Sequence, residues 1–122
     1  MKRMKRLGAA IAFAALLASP GGFALNLLTM GDIPIRHMTD EDREILKTAV
    51  IGTLDQGADG TTVSWDNPKT GAHGNLTPKA SFQREARICR DLEVANSAGG
   101  RDNRVVLTLC KQPDGDWKIE SR

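Results

Sequence analysis

Tyrosine is absent from the 122 residues, and aromatic side chains make up only 4% of them. A surface that binds nucleic acid by stacking bases needs aromatic platforms, and this chain does not supply them. It has no basic footprint either. Of its seventeen Lys and Arg, four (Lys2, Arg3, Lys5, Arg6) cluster at the start, and beyond them thirteen bases face fifteen acids. A mildly acidic body does not attract a polyanion.

Histidine and cysteine are equally scarce, with two of each. His37 and His73 are not at metal-ligand spacing, and the two cysteines are better used on each other, so no zinc site is expected. There is no Cys-X-X-Cys redox pair. Ser64 or Ser81 could be grouped with His73 and Asp66, yet nothing resembles a nucleophile elbow or an oxyanion nest. Gly99-Gly100 reads as a turn and not as a phosphate cradle, because no helix starts there. The sequence therefore predicts no enzyme, no cofactor and no metal. No internal repeat is present.

What is there begins with an export signal. Residues 1–6 are basic, residues 7–18 form an apolar run rich in Ala and Leu, and Ser19-Pro20-Gly21-Gly22 breaks it. Gly22 and Ala24 place small residues at −3 and −1, which predicts a signal over 1–24 cleaved after Ala24. Export leads to a compartment where disulfides persist. No cysteine follows the apolar run, so a lipid-anchored N-terminus is not expected. Residues 25–38 read as a linker, and residues 39–122 as one α+β domain.

Cysteine use in that domain follows from register. Residues 96–102 are rich in Gly, Ser and Asn and mark a turn. Folding the arms antiparallel with opposed numbers summing to 199 puts Leu92 against Leu107 and Val94 against Val105. Ile88 and Leu109 share their face, because strand side chains alternate. The same register brings Cys89 opposite Cys110, with opposed Cα atoms roughly 4.5–5.5 Å apart, within reach of a disulfide.

The remaining elements follow in order. Thr39 can cap a helix, with Asp42 at the reciprocal position. Ile45, Leu46, Ala49, Val50 and Leu54 make its apolar stripe, and Gly57 ends it. Residues 61–66 form a strand, and 67–71 suit a turn with Gly71 left-handed. Residues 72–77 return, with Asp66 paired to Gly71, which sets Gly74 against Val63 and Ala72 against Trp65. Residues 78–81 read as a connector and 82–95 as one long strand. Residues 104–112 pair with it, and Pro113-Asp114-Gly115 turns the chain so that Leu109 meets Ile119 and Lys111 meets Trp117. Trp65 and Trp117 are assigned to the core. The prediction is one amphipathic helix on an antiparallel sheet of four or five strands built from hairpins, stapled by one cross-strand disulfide. Arg84, Arg87 and Arg90 alternate with Glu85 and Asp91. They read either as a solvated strand or as an edge that contacts an anionic envelope component.

Two runs carry a resemblance. They are Val63-Ser64-Trp65-Asp66-Asn67-Pro68-Lys69-Thr70-Gly71 with Gly74 and Thr77-Pro78, and Cys89-Arg90 followed by Cys110-Lys111-Gln112-Pro113-Asp114-Gly115-Asp116-Trp117-Lys118-Ile119. Together with the Asp42-Arg43 helix entry, they resemble the C-terminal domain of the seventeen-kilodalton, rickettsial-type surface antigens. The resemblance implies a non-enzymatic envelope protein of Gram-negative bacteria, with envelope proteins or the outer membrane as partners. Typical members carry a lipobox cysteine and a glycine-rich apolar stretch before this domain, and neither occurs here. The second expectation is accordingly a soluble periplasmic binding or inhibitor module.

Overall fold

A computed structural model describes residues 31–121. The chain runs from a 3-10 turn, Pro34–His37, into helix α1, Asp40–Gln56, and then through five strands. These are β1 (Val63–Asp66), β2 (His73–Arg84), β3 (Arg87–Ala98), β4 (Arg101–Lys111) and β5 (Trp117–Glu120). Every strand pairs antiparallel with the next, so the sheet order is the chain order. The predicted α+β architecture holds, with five strands.

The helix starts where the sequence says it should. The Thr39 hydroxyl accepts from the Asp42 amide at 3.0 Å, and the Asp42 carboxylate accepts from the Thr39 amide at 2.9 Å. This reciprocal pair satisfies two amides that the first turn leaves without intrahelical partners. Leu46 and Leu54 are buried beneath the helix, and Ile45, Ala49 and Val50 flank them. The stripe packs on Trp65, Leu76, Leu92, Val94 and Leu109 of the sheet. Gly57 does close the helix, but at φ −75° it is not left-handed. Its amide bonds the Thr53 carbonyl, and a Cβ there would lie 2.7 Å from that oxygen. Close approach, not a positive φ, is why glycine suits this position.

The β3–β4 register is the predicted one throughout. Cys89 faces Cys110, Leu92 faces Leu107 and Val94 faces Val105, and the two sulfurs are bonded. The turn is tighter than its composition suggested. Gly99 and Gly100 alone form it, at φ 58° and 76°, and the strands extend to Ala98 and Arg101. Two left-handed residues make the hairpin turn whose twist matches the flanking strands. The last hairpin also holds, with Leu109 on Ile119 and Lys111 on Trp117.

Three expectations change. Residues 82–95 are not one strand: Glu85 and Ala86 turn the chain at φ 53° and 67°. Neither is a usual turn former, so composition gave no signal. The turn puts Arg84 directly opposite Arg87, and Glu120 pairs with both, relieving their repulsion. Residues 78–81 are not a connector either, since β2 runs through them with a bulge between Pro78 and Ala80. A bulge is where a strand tolerates proline. The β1–β2 register moves by two residues, to Trp65 on Gly74 and Val63 on Leu76. An even shift leaves each side chain on its expected face. Gly74 still makes room for the indole: a Cβ there would sit 2.5 Å from Trp65 Nε1 and 2.3 Å from the Ala95 carbonyl oxygen.

The segment read as a linker is packed from Ile33 onward. Pro34 and Met38 are buried, and Ile35 lies against the core. Its apolar residues cover part of the sheet's inner face beside the helix. The expected signal, 1–24, and residues 25–30 lie outside the described residues.

Candidate functional site

The helix covers one face of the sheet, and its two ends are held there by buried charges. Asp42, 1% exposed, accepts from Asn67 Nδ2 and from the Thr70 hydroxyl, both at 2.7 Å. Asn67 also accepts from the Lys69 amide and, through its carbonyl, from the Thr70 and Gly71 amides. The β1–β2 turn is thus tied to the helix N-terminus. Burial pushes the Asp42 carboxyl up, but hydrogen bonds from Thr39, Thr70 and Asn67 outweigh it and hold the group below its usual value of 3.8. A lowered folded value means that stability is complete above 3.8 and is lost as pH falls below it. Asp42→Asn should cost about 1–2 kcal/mol at neutral pH, the loss of a cap and a buried acceptor. It should also flatten the stability decline below pH 3.8. Urea midpoints measured from pH 7 to pH 2.5 check both effects.

Arg90 holds the other end. It is 7% exposed. Its Nη1 donates to the Leu54 carbonyl at 2.8 Å and the Thr53 carbonyl at 3.3 Å, and its Nη2 donates to the Gly57 carbonyl at 2.7 Å. Nη2 also meets Asp59 at 2.7 Å, and Nε donates to the Ser81 hydroxyl. Hydrogen bonds from Arg90 and Ser81 hold the Asp59 carboxyl below its ordinary range. An anion at the helix N-terminus and a cation at its C-terminus both complement the macrodipole.

The three arginines proposed as one edge therefore separate. β3 lies between β2 and β4 in the sheet. Arg90 points to the helix side. Arg84 and Arg87 lie on the other face, both ion-paired to Glu120. Arg84 also donates to the Ser121 carbonyl and lies 5.7 Å from the Phe82 ring centroid. The hydrogen bond from Arg87 draws the Glu120 carboxyl below its ordinary value. Phe82 is the direct neighbour of Cys89 on this face, and Cys89 and Cys110 are both fully buried. Phe82 thus stands beside the disulfide on this face, next to Arg84 of the Arg84–Glu120–Arg87 group.

The serine and histidine groupings do not assemble. The Ser64 hydroxyl donates to Asn75 Oδ1, His73 Nδ1 donates to the Gly71 carbonyl, and Ser81 is held by Asp59 and Arg90. Among the described residues, no three His, Cys, Asp or Glu side chains converge to hold a metal ion. None of the described helices is long and apolar enough to cross a membrane.

What the sheet does offer is the far half of its outer face. There Ala95 and Ser97 of β3 form a low floor. His73 and Asn75 stand on one side, with Asp102 and Arg104 on the other. They enclose a shallow trough of about 400 Å³. Its lining is polar and bears both signs of charge, which suits hydrogen-bonded recognition and not the burial of an apolar ligand.

The sequence reading missed the two helix clamps. Arg90 could have been found from parity, since it shares a face with Leu92 and Val94. An arginine on the core face of a strand requires a buried partner. Asn67 and Thr70 were read only as turn formers.

Such a molecule is a small disulfide-stapled α+β scaffold, with a helix packed on one sheet face and, among the described residues, an open trough on the far half of the other. It belongs to the 17 kDa outer membrane surface antigen family, whose model matches residues 52–118. The 17 kDa surface antigen of Rickettsia prowazekii is 30% identical over 81 residues, covering 66% of this chain and 51% of that protein. The Rickettsia felis antigen is 30% identical over 83 residues, covering 67% and 52%, and the Rickettsia bellii antigen is 29% identical over the same length. The chain spans about half the length of the curated relatives it matches. No solved structure matches it.

Proposed function

We propose that this is an exported, non-enzymatic envelope protein of a Gram-negative bacterium, acting through protein or envelope-component contacts made by the outer sheet face. The observation that carries the reading is the asymmetry of the sheet. Helix and 3-10 turn occupy one face, while the trough between His73–Asn75 and Asp102–Arg104 is left without a covering element among the described residues. Membership of a family named for outer-membrane surface antigens supports the compartment. The basic and apolar run over 1–24 supports export.

The test is fractionation of the native bacterium with N-terminal sequencing, run beside an Ala95→Arg variant that fills the trough floor. Wild-type protein should begin at Leu25 and sediment with outer membranes. The variant should keep its melting temperature and shift to the osmotic-shock fluid. Wild-type protein released by osmotic shock would replace this reading with the soluble periplasmic module. A variant that stays with the membranes would remove the trough from it.

A further inference from the structure

β4 runs over Arg101–Lys111, but β5 pairs only with its last four residues, Thr108 to Lys111. Among the described residues, the stretch 102–107 has β3 on one side and no strand on the other. An unpaired edge of this length is a template for another strand. Proteins commonly blunt such edges by bulges, short length or a covering loop. Among the described residues no bulge breaks this edge: the β3–β4 register is unbroken from Arg101 to Cys110, and Val106 on this stretch is 57% exposed.

The charges on the edge suit one partner. Asp102 and Arg104 both project from the outer face. Asp102 has no ion pair among the described residues, and the Arg104 side chain is 66% exposed, with one 3.5 Å contact to Glu93. Now place a second copy antiparallel along the edge, with the two outer faces continuous. Only registers centred on a residue or shifted by whole residues keep the faces aligned. Centring on Arg104 would set Arg104 against itself, and centring on Asp102 would set Asp102 against itself. Centring on Asn103 puts Asp102 opposite the partner's Arg104, and Arg104 opposite the partner's Asp102. The Asp-Asn-Arg sequence is its own complement in that register and in neither neighbouring one. Like charges directly opposed destabilise a strand pair, and opposite charges support it.

We propose that the protein forms a two-fold dimer through antiparallel pairing of β4 edges, with Asn103 on the axis and two Asp102–Arg104 ion pairs beside it. The pairing would join two five-stranded sheets into one. This proposal does not rest on the envelope reading. The paired segment is short, so the dimer should be reversible and concentration-dependent.

The test uses the full chain, purified from the exporting cell, in sedimentation velocity over a concentration series. Wild-type protein should pass from monomer to dimer. Asp102→Arg turns two attractive pairs into two repulsive ones and should weaken dimerisation at least about tenfold. Adding Arg104→Asp to it restores complementarity in reversed sense and should recover most of the loss. In oxidising buffer, Asn103→Cys should cross-link two chains, while Ser64→Cys on the opposite edge strand should not. A monomer at every concentration overturns the proposal. A dimer indifferent to Asp102→Arg, or equal cross-linking at 64 and 103, overturns it as well.

Discussion

Arg90→Ala should lower stability by about 2–4 kcal/mol, among the largest effects of any single substitution in this domain. Three carbonyls at the helix end, those of Thr53, Leu54 and Gly57, lose their side-chain donor. Two of these bonds are buried. The Thr53 carbonyl keeps the Gly57 amide, but the Leu54 carbonyl loses its donor, and a buried acceptor left without a partner costs about 1–3 kcal/mol. The Asp59 carboxylate contributes less to the loss. Its side chain is 45% exposed, and water replaces the guanidinium there, so Asp59→Asn should cost much less than Arg90→Ala. Arg90→Lys is the discriminating control. An ammonium keeps the charge that suits the helix dipole but not the planar fork that reaches Thr53, Leu54, Gly57 and Ser81 at once. If the guanidinium fork does the holding, lysine restores less than half of the loss. If charge alone does it, lysine restores nearly all. Urea denaturation of the three variants reads the totals. Amide exchange should rise first in the last turn of α1, because that is where the carbonyls lose their anchor.

This clamp also shows where sequence reasoning reached and where it stopped. Local rules placed the helix, because capping chemistry and the apolar stripe are both written within a few residues of each other. They placed the Cys89–Cys110 pair because two apolar arms about one turn admit a single register with both sets facing the core. They failed at Glu85-Ala86, where the turn is made by residues with no turn preference. What holds that turn is distant in sequence: Arg84 and Arg87 share Glu120, more than thirty residues away. They failed at Pro78 because proline suggests a break, whereas a bulge accommodates it within β2. The Asp42–Asn67–Thr70 and Arg90–helix contacts were invisible for the same reason. Each joins segments separated by about 25 residues or more, and only the folded sheet brings them together. The outer-face trough was partly legible. The alternation of strand side chains set His73 and Asn75 towards solvent, and the β3–β4 register places Asp102 and Arg104 beside them.

Removing the disulfide should cost about as much as removing Arg90, but by another route. Cys89 and Cys110 are 21 residues apart. In the chain-entropy model, closing a loop of that size restricts the unfolded chain by about 3 kcal/mol. The Gly99-Gly100 turn and the facing Leu92–Leu107 and Val94–Val105 pairs already specify the register, so the native fold should survive in Cys89→Ala/Cys110→Ala. A loss of 3 kcal/mol in a domain this small corresponds to a fall of roughly 12–24 °C in melting temperature. The denaturant slope tells the two routes apart. Breaking the cross-link lets the unfolded ensemble expand, so its m-value should rise as the free energy falls. Arg90→Ala acts on native contacts and should leave m unchanged. The bond's position adds a kinetic expectation. Both cysteines are fully buried, with Phe82 beside Cys89 and the Arg84–Glu120–Arg87 group next to Phe82, so reductant must wait for the sheet to open. Folded wild-type protein in mild reductant should therefore lose its disulfide slowly. Glu120→Ala, which unties both arginines, should make that loss several times faster. Thiol alkylation followed over time by mass spectrometry measures it. Equal reduction rates in the two proteins would show that the ion-pair group does not protect the bond.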